Sequence, residues 1–307
     1  MNASFTIQKS NKLLDFIFFG NYFYGVCAVI LSIEATLQQR FPLNNIVYFF
    51  FVFLATVLYY TYPYVRRCSF ISANSRTNWY TRNYNFVRLS QISSTVILAA
   101  VFAFFLFNYS LALLHVPLLQ WLIIFIFPIV AALYYGLNKY NIRQIGWLKP
   151  FIIGFTWAGL VTVYPVLFYC IVNKQPYEIT TVGTLLFLKN FMFITVLCIM
   201  FDVKDYASDY LKHLKTFVVN IGLRNTIFFI LFPLAILGLF SFIIYDELHE
   251  FPLSRVVLNI IPFLFLITAS FSLRKRRSIL YYLIVIDGLM LVKGLCGTVA
   301  MLCFSYR

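Results

Sequence analysis

Long apolar segments separated by short polar ones make up most of this chain of 307 residues. Runs of about 18 or more apolar residues have the length that an α-helix needs to cross the hydrocarbon core of a bilayer. These runs are too long and too uniformly apolar for the alternating strands of a membrane β-barrel. The pattern predicts about nine membrane-spanning helices, over residues 13–36, 46–64, 91–113, 117–136, 148–171, 180–201, 224–245, 252–272 and 279–303.

The composition excludes an ordinary soluble domain. Hydrophobic residues make up 62% of the chain and charged residues only 11%, whereas roughly a quarter of a soluble domain is charged. The polar segments between the predicted spans are too short to form a domain of their own. We therefore expect an all-α, polytopic membrane bundle in which residues 1–307 form a single domain.

The formal net charge of +14 is unevenly distributed between the two sides of this predicted bundle. In the nine-span arrangement, 18 of the 24 lysine and arginine residues fall on the side of the N-terminus, four fall on the opposite side and two lie within spans. Basic residues are enriched in the cytoplasmic loops of membrane proteins. We therefore expect a cytoplasmic N-terminus in the inner membrane of a bacterium, and we interpret the basic charge as a topology signal rather than as a nucleic-acid site.

Three of the ten acidic residues lie close together after the sixth predicted span. Asp202, Asp205 and Asp209 are spaced i, i+3 and i+7, so they fall within roughly 60° of one another on one face of a helix. Carboxylates that stand together repel each other, and oxygen clusters of this kind suit Mg²⁺ bound to a phosphate or diphosphate. The alternatives are a solvated helix end, and carboxylates that pair with the basic residues Lys212, Lys215 and Arg224 without any metal.

Two sequence motifs resemble those of the UbiA family of intramembrane prenyltransferases. Residues 202–209 read DVKDYASD and precede LKT at 214–216, which is similar to the family's second aspartate motif, DxxDxxxD, with its downstream Lys-Thr pair. Residues 134–140 read YYGLNKY and precede LKP at 148–150, which is similar to the family's tyrosine-rich basic loop that helps hold the diphosphate. The resemblance implies a bundle of nine transmembrane helices around a cavity that opens to the cytoplasm and to lipid.

The chain departs from the family at the first aspartate motif, usually NxxxDxxxD, which follows the second span. Residues 59–67 read YYTYPYVRR at this place, and no Asp or Glu occurs from residue 35 to residue 177. The usual arrangement of two carboxylate-bound metal sites therefore cannot be built from this region.

The resemblance implies that the protein transfers a prenyl group from an isoprenoid diphosphate to an aromatic or lipid-like hydrophobic acceptor, with Mg²⁺ as the cofactor. Asp202, Asp205 and Asp209 would be the catalytic residues and the metal ligands. Arginine and lysine neutralise phosphate oxygens, and here they would replace the missing second metal site. The residues expected to bind diphosphate are Arg66, Arg67, Arg76, Arg82, Lys139, Arg143 and Lys215.

Two other functional classes stay open. A catalytically inactive protein of the UbiA fold would bind an isoprenoid or lipid, or act as a subunit of a membrane complex, and the missing first motif favours it. A transporter or channel is disfavoured, because the sequence has no evident internal repeat and few charged residues within its spans. Among those deep residues, Lys189 and Asp287 are predicted to form an ion pair or to line a polar cavity.

Overall fold

The computed structural model describes residues 12–66, 75–135, 145–211, 213–249, 252–275 and 277–304. These residues form helices and the turns between them, and this part of the chain contains no strand, which confirms the all-α prediction. In chain order, the helices are α1 (Lys12–Phe19), α2 (Tyr22–Gln38), α3 (Ile46–Arg66), α4 (Ser75–Arg82), α5 (Tyr84–Asn108), α6 (Ser110–Leu114), α7 (Leu118–Tyr135), α8 (Lys149–Ala158), α9 (Tyr164–Val172), α10 (Thr181–Leu211), α11 (Phe217–Thr226), α12 (Phe232–His249), α13 (Leu253–Ser272), α14 (Ile279–Tyr281) and α15 (Gly288–Cys303). Three π-helical turns, Gly159–Val163, Ile227–Leu231 and Tyr282–Ile286, join α8 to α9, α11 to α12 and α14 to α15.

The helices include seven candidate membrane spans in the described part of the chain. They are Ile46–Val65, Tyr84–Asn108, Lys149–Val172, Thr181–Leu211, Phe217–Leu248, Leu253–Ser272 and Ile279–Cys303. The protein is therefore a multi-pass integral membrane protein. Helices α1 and α2, which are bent by 59° at their junction, would together form an eighth span, and the apolar helix Leu118–Tyr134 is shorter than the others. Each of the predicted segments thus overlaps a helix, while the count of nine spans stays a prediction.

Two of the π-helical turns lie directly before a proline. Gly159–Val163 is followed within two residues by Pro165, and Ile227–Leu231 is followed by Pro233 in the same way. A proline has no N–H to donate, and inside a helix its ring collides with the carbonyl group one turn earlier. A local π-helical turn relieves this conflict while the backbone groups stay hydrogen-bonded within the span.

The described residues divide into two compact units. The first unit is drawn from Met1–Val26 and Ile46–Phe105, and the second from Cys27–Asn45 and Leu106–Arg307. Helix α2 therefore begins in the first unit and ends in the second. The prediction that residues 1–307 form a single domain stays a prediction.

The first unit is organised around the junction between α1 and α2. Asn21 lies at this junction with a φ of 66°, a left-handed conformation that asparagine tolerates better than most residues. Its buried side chain donates to Thr61 Oγ1 at 3.0 Å and to Tyr80 Oη at 2.9 Å. Tyr80 in turn donates to the Phe19 carbonyl at 2.7 Å. One asparagine thus connects the α1–α2 junction with α3 and α4.

Helix α10 is the central helix of the second unit. It packs most extensively against α8 and α12, and Phe193 and Ile199 are completely buried along it. The contact with α8 is close, because a Cβ at Gly154 would lie only 3.0 Å from the Phe191 carbonyl oxygen. Small residues are the usual means of close helix packing in a membrane. This packing brings the start of α8 beside the last turns of α10, where the three aspartates lie.

Candidate functional site

The three predicted aspartates lie in the last turns of α10 and differ in exposure. Asp202 is completely buried, with 0% of its side chain exposed, and Asp209 is also buried. The Asp205 side chain is 42% exposed. Asp202 and Asp209 therefore face the interior of the second unit, while Asp205 lies toward its edge.

Lys149, the first residue of α8, is the basic partner of the buried aspartates. Its Nζ donates to Asp202 Oδ1 at 2.5 Å, and Asp209 and Tyr134 lie within its electrostatic range. Asp202 Oδ2 is buried and has no hydrogen-bond partner among the described residues. A desolvated carboxylate with an unsatisfied oxygen is costly, so this oxygen marks a place for a further cation or donor. The LKP motif at 148–150 is the sequence signal for this lysine.

A close backbone contact holds the segment before α8 against the segment after α10. A Cβ at Gly146 would lie 2.6 Å from Thr216 N and 2.7 Å from Lys215 C, so only glycine fits there without a shift. Leu214 N donates to the Asp209 carbonyl at 2.9 Å, and Thr216 caps the start of α11. The backbone of Lys215 is thus held within a few residues of the start of α8.

Asp205 has a separate and more exposed environment. It forms an ion pair with its neighbour Lys204 at 2.6 Å, and it lies within electrostatic range of Tyr282. In the part of the chain that the structure describes, no group of three or more His, Cys, Asp or Glu side chains lies close enough to hold a metal ion. The expectation that Asp202, Asp205 and Asp209 bind Mg²⁺ stays a prediction.

The basic residues predicted to bind diphosphate have different surroundings. Arg76 is buried in α4, where its Nη2 donates to Asn21 Oδ1 and its guanidinium carbon lies 4.8 Å from the centre of the Tyr64 ring. Arg82 is exposed at the end of α4, and Lys215 is exposed in the second unit. Outside the described residues lie Arg67, Lys139, Arg143, Lys212 and the side chain of Arg66.

The acidic partner of Lys189 differs from the one expected from the sequence. Lys189 Nζ lies 3.0 Å from Glu34 Oε1, so the predicted pair with Asp287 is wrong. Glu34 also pairs with Lys293, at 2.6 Å. The sequence contained a signal for this pairing, because Glu34 is an acidic residue within the predicted span 13–36 and ionisable residues inside membranes are usually paired.

The end of α10 and the start of α8 together combine two buried carboxylates, one ammonium group and a neighbouring helix start. The ammonium group and the helix start favour phosphate oxygens. The carboxylates favour a divalent cation. The arrangement therefore places groups that suit phosphate oxygens beside groups that suit a cation.

Comparison with protein-family models, with curated proteins and with solved structures finds no match to this chain.

Proposed function

We propose that this protein is a UbiA-type membrane prenyltransferase. It would bind a prenyl diphosphate at the site of Lys149, Asp202 and Asp209 and transfer the prenyl group to an aromatic or lipid-like acceptor. The observation that carries the proposal is the buried Asp202 carboxylate, which pairs with Lys149 through one oxygen and has no partner for the other among the described residues. A buried carboxylate with an unpartnered oxygen is costly to retain, and a bound cation or substrate would account for it.

The residues present fit a Mg²⁺ ion that is held partly by the substrate. In phosphate-binding sites, Mg²⁺ is commonly bound by one or two carboxylates, and phosphate oxygens and water complete its coordination. Asp202 Oδ2, which has no hydrogen-bond partner among the described residues, would be the protein ligand. Asp209 lies ~10 Å further along the helix axis, so it would not bind the same ion, and its charge would act on Lys149 instead. Bound Mg²⁺ neutralises the charge of a leaving diphosphate.

Lys149 would act on the diphosphate directly. An ammonium group has three N–H donors, and Asp202 accepts from Lys149 in the structure, which leaves further donors for phosphate oxygens. Near this lysine, the rings of Phe151 and Phe217 pack with their centres 6.1 Å apart. Aromatic faces stabilise a nearby cation by about 0.5–2 kcal/mol, which suits an allylic carbon as its bond to diphosphate breaks.

The proposal includes an orientation for the site. Helix α8 begins and helix α10 ends there, so both meet the same membrane surface if both span the bilayer. Since 18 of the 24 basic residues of the predicted nine-span arrangement lie on that side, the surface would be the cytoplasmic face, in the inner membrane of a bacterium.

The second candidate function is binding of an isoprenoid diphosphate or lipid without transfer. Lys149 already supplies a positive charge 2.5 Å from Asp202, and the first aspartate motif is missing from residues 59–67. Such a site would hold a phosphorylated lipid without the second metal site that helps a diphosphate to leave.

The test measures binding and turnover in the same preparation. Purified protein in lipid nanodiscs is titrated with geranylgeranyl diphosphate, with and without Mg²⁺, and diphosphate release is followed with a panel of phenolic acceptors. Wild type is compared with Asp202→Asn and with Asp246→Asn, a partly buried aspartate in α12 that serves as the matched control.

We expect Mg²⁺-dependent binding in the wild type and in Asp246→Asn, and its loss in Asp202→Asn. Acceptor-dependent release of diphosphate would support the transferase, whereas binding without release would support the second candidate. If the wild type binds no prenyl diphosphate under either condition, both candidates are overturned. If Asp202→Asn binds as tightly as the wild type and with the same Mg²⁺ dependence, the transferase proposal is overturned.

A further inference from the structure

A second cluster of charged side chains lies deep in the second unit. Glu34 of α2 accepts hydrogen bonds from two lysines on different helices, namely from Lys189 of α10 through Oε1 at 3.0 Å and from Lys293 of α15 through Oε2 at 2.6 Å. The three side chains are between 1% and 3% exposed. We call these three residues the buried triad.

Neutral side chains complete the surroundings of the buried triad. Gln38 Oε1 accepts from Lys189 at 2.7 Å, and Gln38 Nε2 donates to Asn259 Oδ1 at 2.8 Å. The Gln38 backbone is held in turn, because Tyr245 Oη donates to its carbonyl at 2.5 Å. The acceptors around the lysines are therefore held in place by helices α12 and α13.

The close approach of α15 to Glu34 depends on a glycine. A Cβ at Gly297 would lie 2.6 Å from Glu34 Oε1 and 2.7 Å from Glu34 Cδ. Real side chains do not reach such distances, so a larger residue at this position would displace the carboxylate. The position of Glu34 between the two lysines is thus built into the helix packing.

The buried triad carries more positive than negative charge. Two ammonium groups face one carboxylate, which leaves an excess of one positive charge, and the two ammonium groups are close enough to repel each other. The nearest aromatic support is weak, since Lys189 and Lys293 lie 5.4 Å and 5.8 Å from the ring centres of Phe242 and Phe193. Uncompensated charge is expensive in a desolvated interior.

The buried triad also has hydrogen-bond donors to spare. Each ammonium group has three N–H donors. Within the described residues, Lys189 donates to Glu34 and Gln38, and Lys293 donates to Glu34 alone. Three N–H donors therefore have no acceptor among the described residues, and one positive charge is not balanced. A group that both accepts hydrogen bonds and carries a negative charge would satisfy both requirements.

We propose that the buried triad is a binding site for a small monovalent anion, such as a halide or a short carboxylate. One negative charge balances the excess, and its lone pairs accept from the remaining N–H donors of Lys189 and Lys293. Lys189 lies 13 residues before Asp202 on α10, ~20 Å along the helix axis, so the anion site is separate from the diphosphate site and does not depend on the proposed transferase function.

The experiment compares anions at constant ionic strength. Purified full-length protein in nanodiscs is exchanged into gluconate, and then titrated with chloride, bromide or acetate while its Tm is recorded, with direct binding measured by equilibrium dialysis of radiolabelled chloride. We expect a saturable rise in Tm and one bound anion per chain. The chloride and acetate arms distinguish a halide site from a carboxylate site.

Three variants locate the anion. Lys293→Met removes the excess charge, so anion binding and the rise in Tm are lost, whereas Lys293→Arg keeps both. Glu34→Gln removes the competing carboxylate and tightens anion binding. The matched control is Lys275→Met, which makes the same charge change at an exposed position and leaves binding unchanged.

The proposal is overturned if the wild type binds no chloride or acetate and its Tm is the same in every anion. It is also overturned if Lys293→Met folds and binds anion as the wild type does. If Lys293→Met does not fold, Lys293→Arg together with the direct binding measurement on the wild type decides between the same two results.

Discussion

Lys149 and Asp202 form an ion pair of 2.5 Å that joins the first residue of α8 to the last turns of α10. The two residues are 53 positions apart in the chain, and they meet because glycine contacts at both Gly146 and Gly154 let their segments approach closely. The Asp202 carboxylate is completely buried, and its other oxygen has no hydrogen-bond partner among the described residues.

Substitution of the buried aspartate is expected to matter more than substitution of its exposed neighbour. Asp202→Asn should weaken Mg²⁺-dependent binding of a prenyl diphosphate by more than about tenfold, which corresponds to about 1.4 kcal/mol. Asp205→Asn should change the same binding affinity by less than about threefold, because the Asp205 side chain is 42% exposed and pairs with Lys204. Titration of both variants in nanodiscs measures this, and an equal loss in the two would contradict the separate environments of the aspartates.

Gly146 is expected to be essential for the shape of the site. A methyl group at this position would lie 2.6 Å from Thr216 N, so Gly146→Ala should push apart the segments before α8 and after α10. Overpacking of this kind costs about 1–3 kcal/mol, and prenyl diphosphate binding should fall with it. The control is Gly288→Ala, where an added Cβ meets nothing within 4 Å. Comparison of the two Tm values tests the prediction, which fails if the Tm of both variants is the same.

Asn21 is expected to stabilise the first unit. Asn21→Ala leaves the buried groups of Thr61, Tyr80 and Arg76 without this partner, and an unsatisfied buried group costs about 1–3 kcal/mol. The control is Asn173→Ala, whose exposed side chain donates to the Tyr169 carbonyl in its own helix turn. Denaturant unfolding of both variants gives the comparison, and equal stability would exclude Asn21 as the organising residue.

Tyr80 is expected to make the first unit sensitive to alkaline pH. Burial raises the pKa of Tyr80 from its ordinary value of 10.0 to about 12, so the folded state keeps the phenol protonated where the unfolded state begins to ionise. This contribution is complete below pH 10 and is lost as the pH rises through about 12. Tyr80→Phe should therefore lose less stability with rising pH than Tyr62→Phe, the control at an exposed tyrosine. The free energy of unfolding of both variants, measured between pH 9 and pH 12, checks this prediction. The same pH dependence in both variants would contradict it.

The charges of the buried triad are expected to be energetically coupled. In gluconate, without chloride or acetate, Glu34→Gln leaves two ammonium groups without a carboxylate and should cost about 3–5 kcal/mol. Adding Lys293→Met removes one of these charges and should restore part of the loss, with a coupling of about 0.5–3 kcal/mol. Lys275→Met on the same background serves as the control, because this lysine is exposed. A double-mutant cycle by thermal unfolding measures the coupling, and additive losses would argue against it.

The helices could be predicted in advance because a helix in a membrane satisfies its own backbone. Every predicted span overlaps a helix of the structure, and the differences lie at the ends, as where the segment 91–113 corresponds to Tyr84–Asn108. The bend of 59° between α1 and α2 was not predictable in the same way. It depends on Asn21, whose partners Thr61 and Tyr80 are 40 and 59 residues away.

The candidate site was predictable along one helix but not between helices. The i, i+3, i+7 spacing places Asp202, Asp205 and Asp209 on neighbouring positions of α10 because helix geometry is regular. Periodicity does not say which of these positions faces the interior. It also does not identify Lys149 as the partner of Asp202, or Asn21 as the partner of Arg76, since both partners come from distant segments of the chain.

The sequence by itself determined that this is an all-helical, multi-pass membrane protein with a stripe of aspartates at the end of one helix, because hydrophobic length and helical spacing are local properties. Only the tertiary structure decided which charges meet. Lys189 pairs with Glu34, 155 residues earlier, and Lys293 pairs with the same carboxylate from 259 residues away. The physical reason is that a desolvated charge must find its partner across the helix packing, and close contacts such as that of Gly297 with Glu34 determine which partner lies within reach.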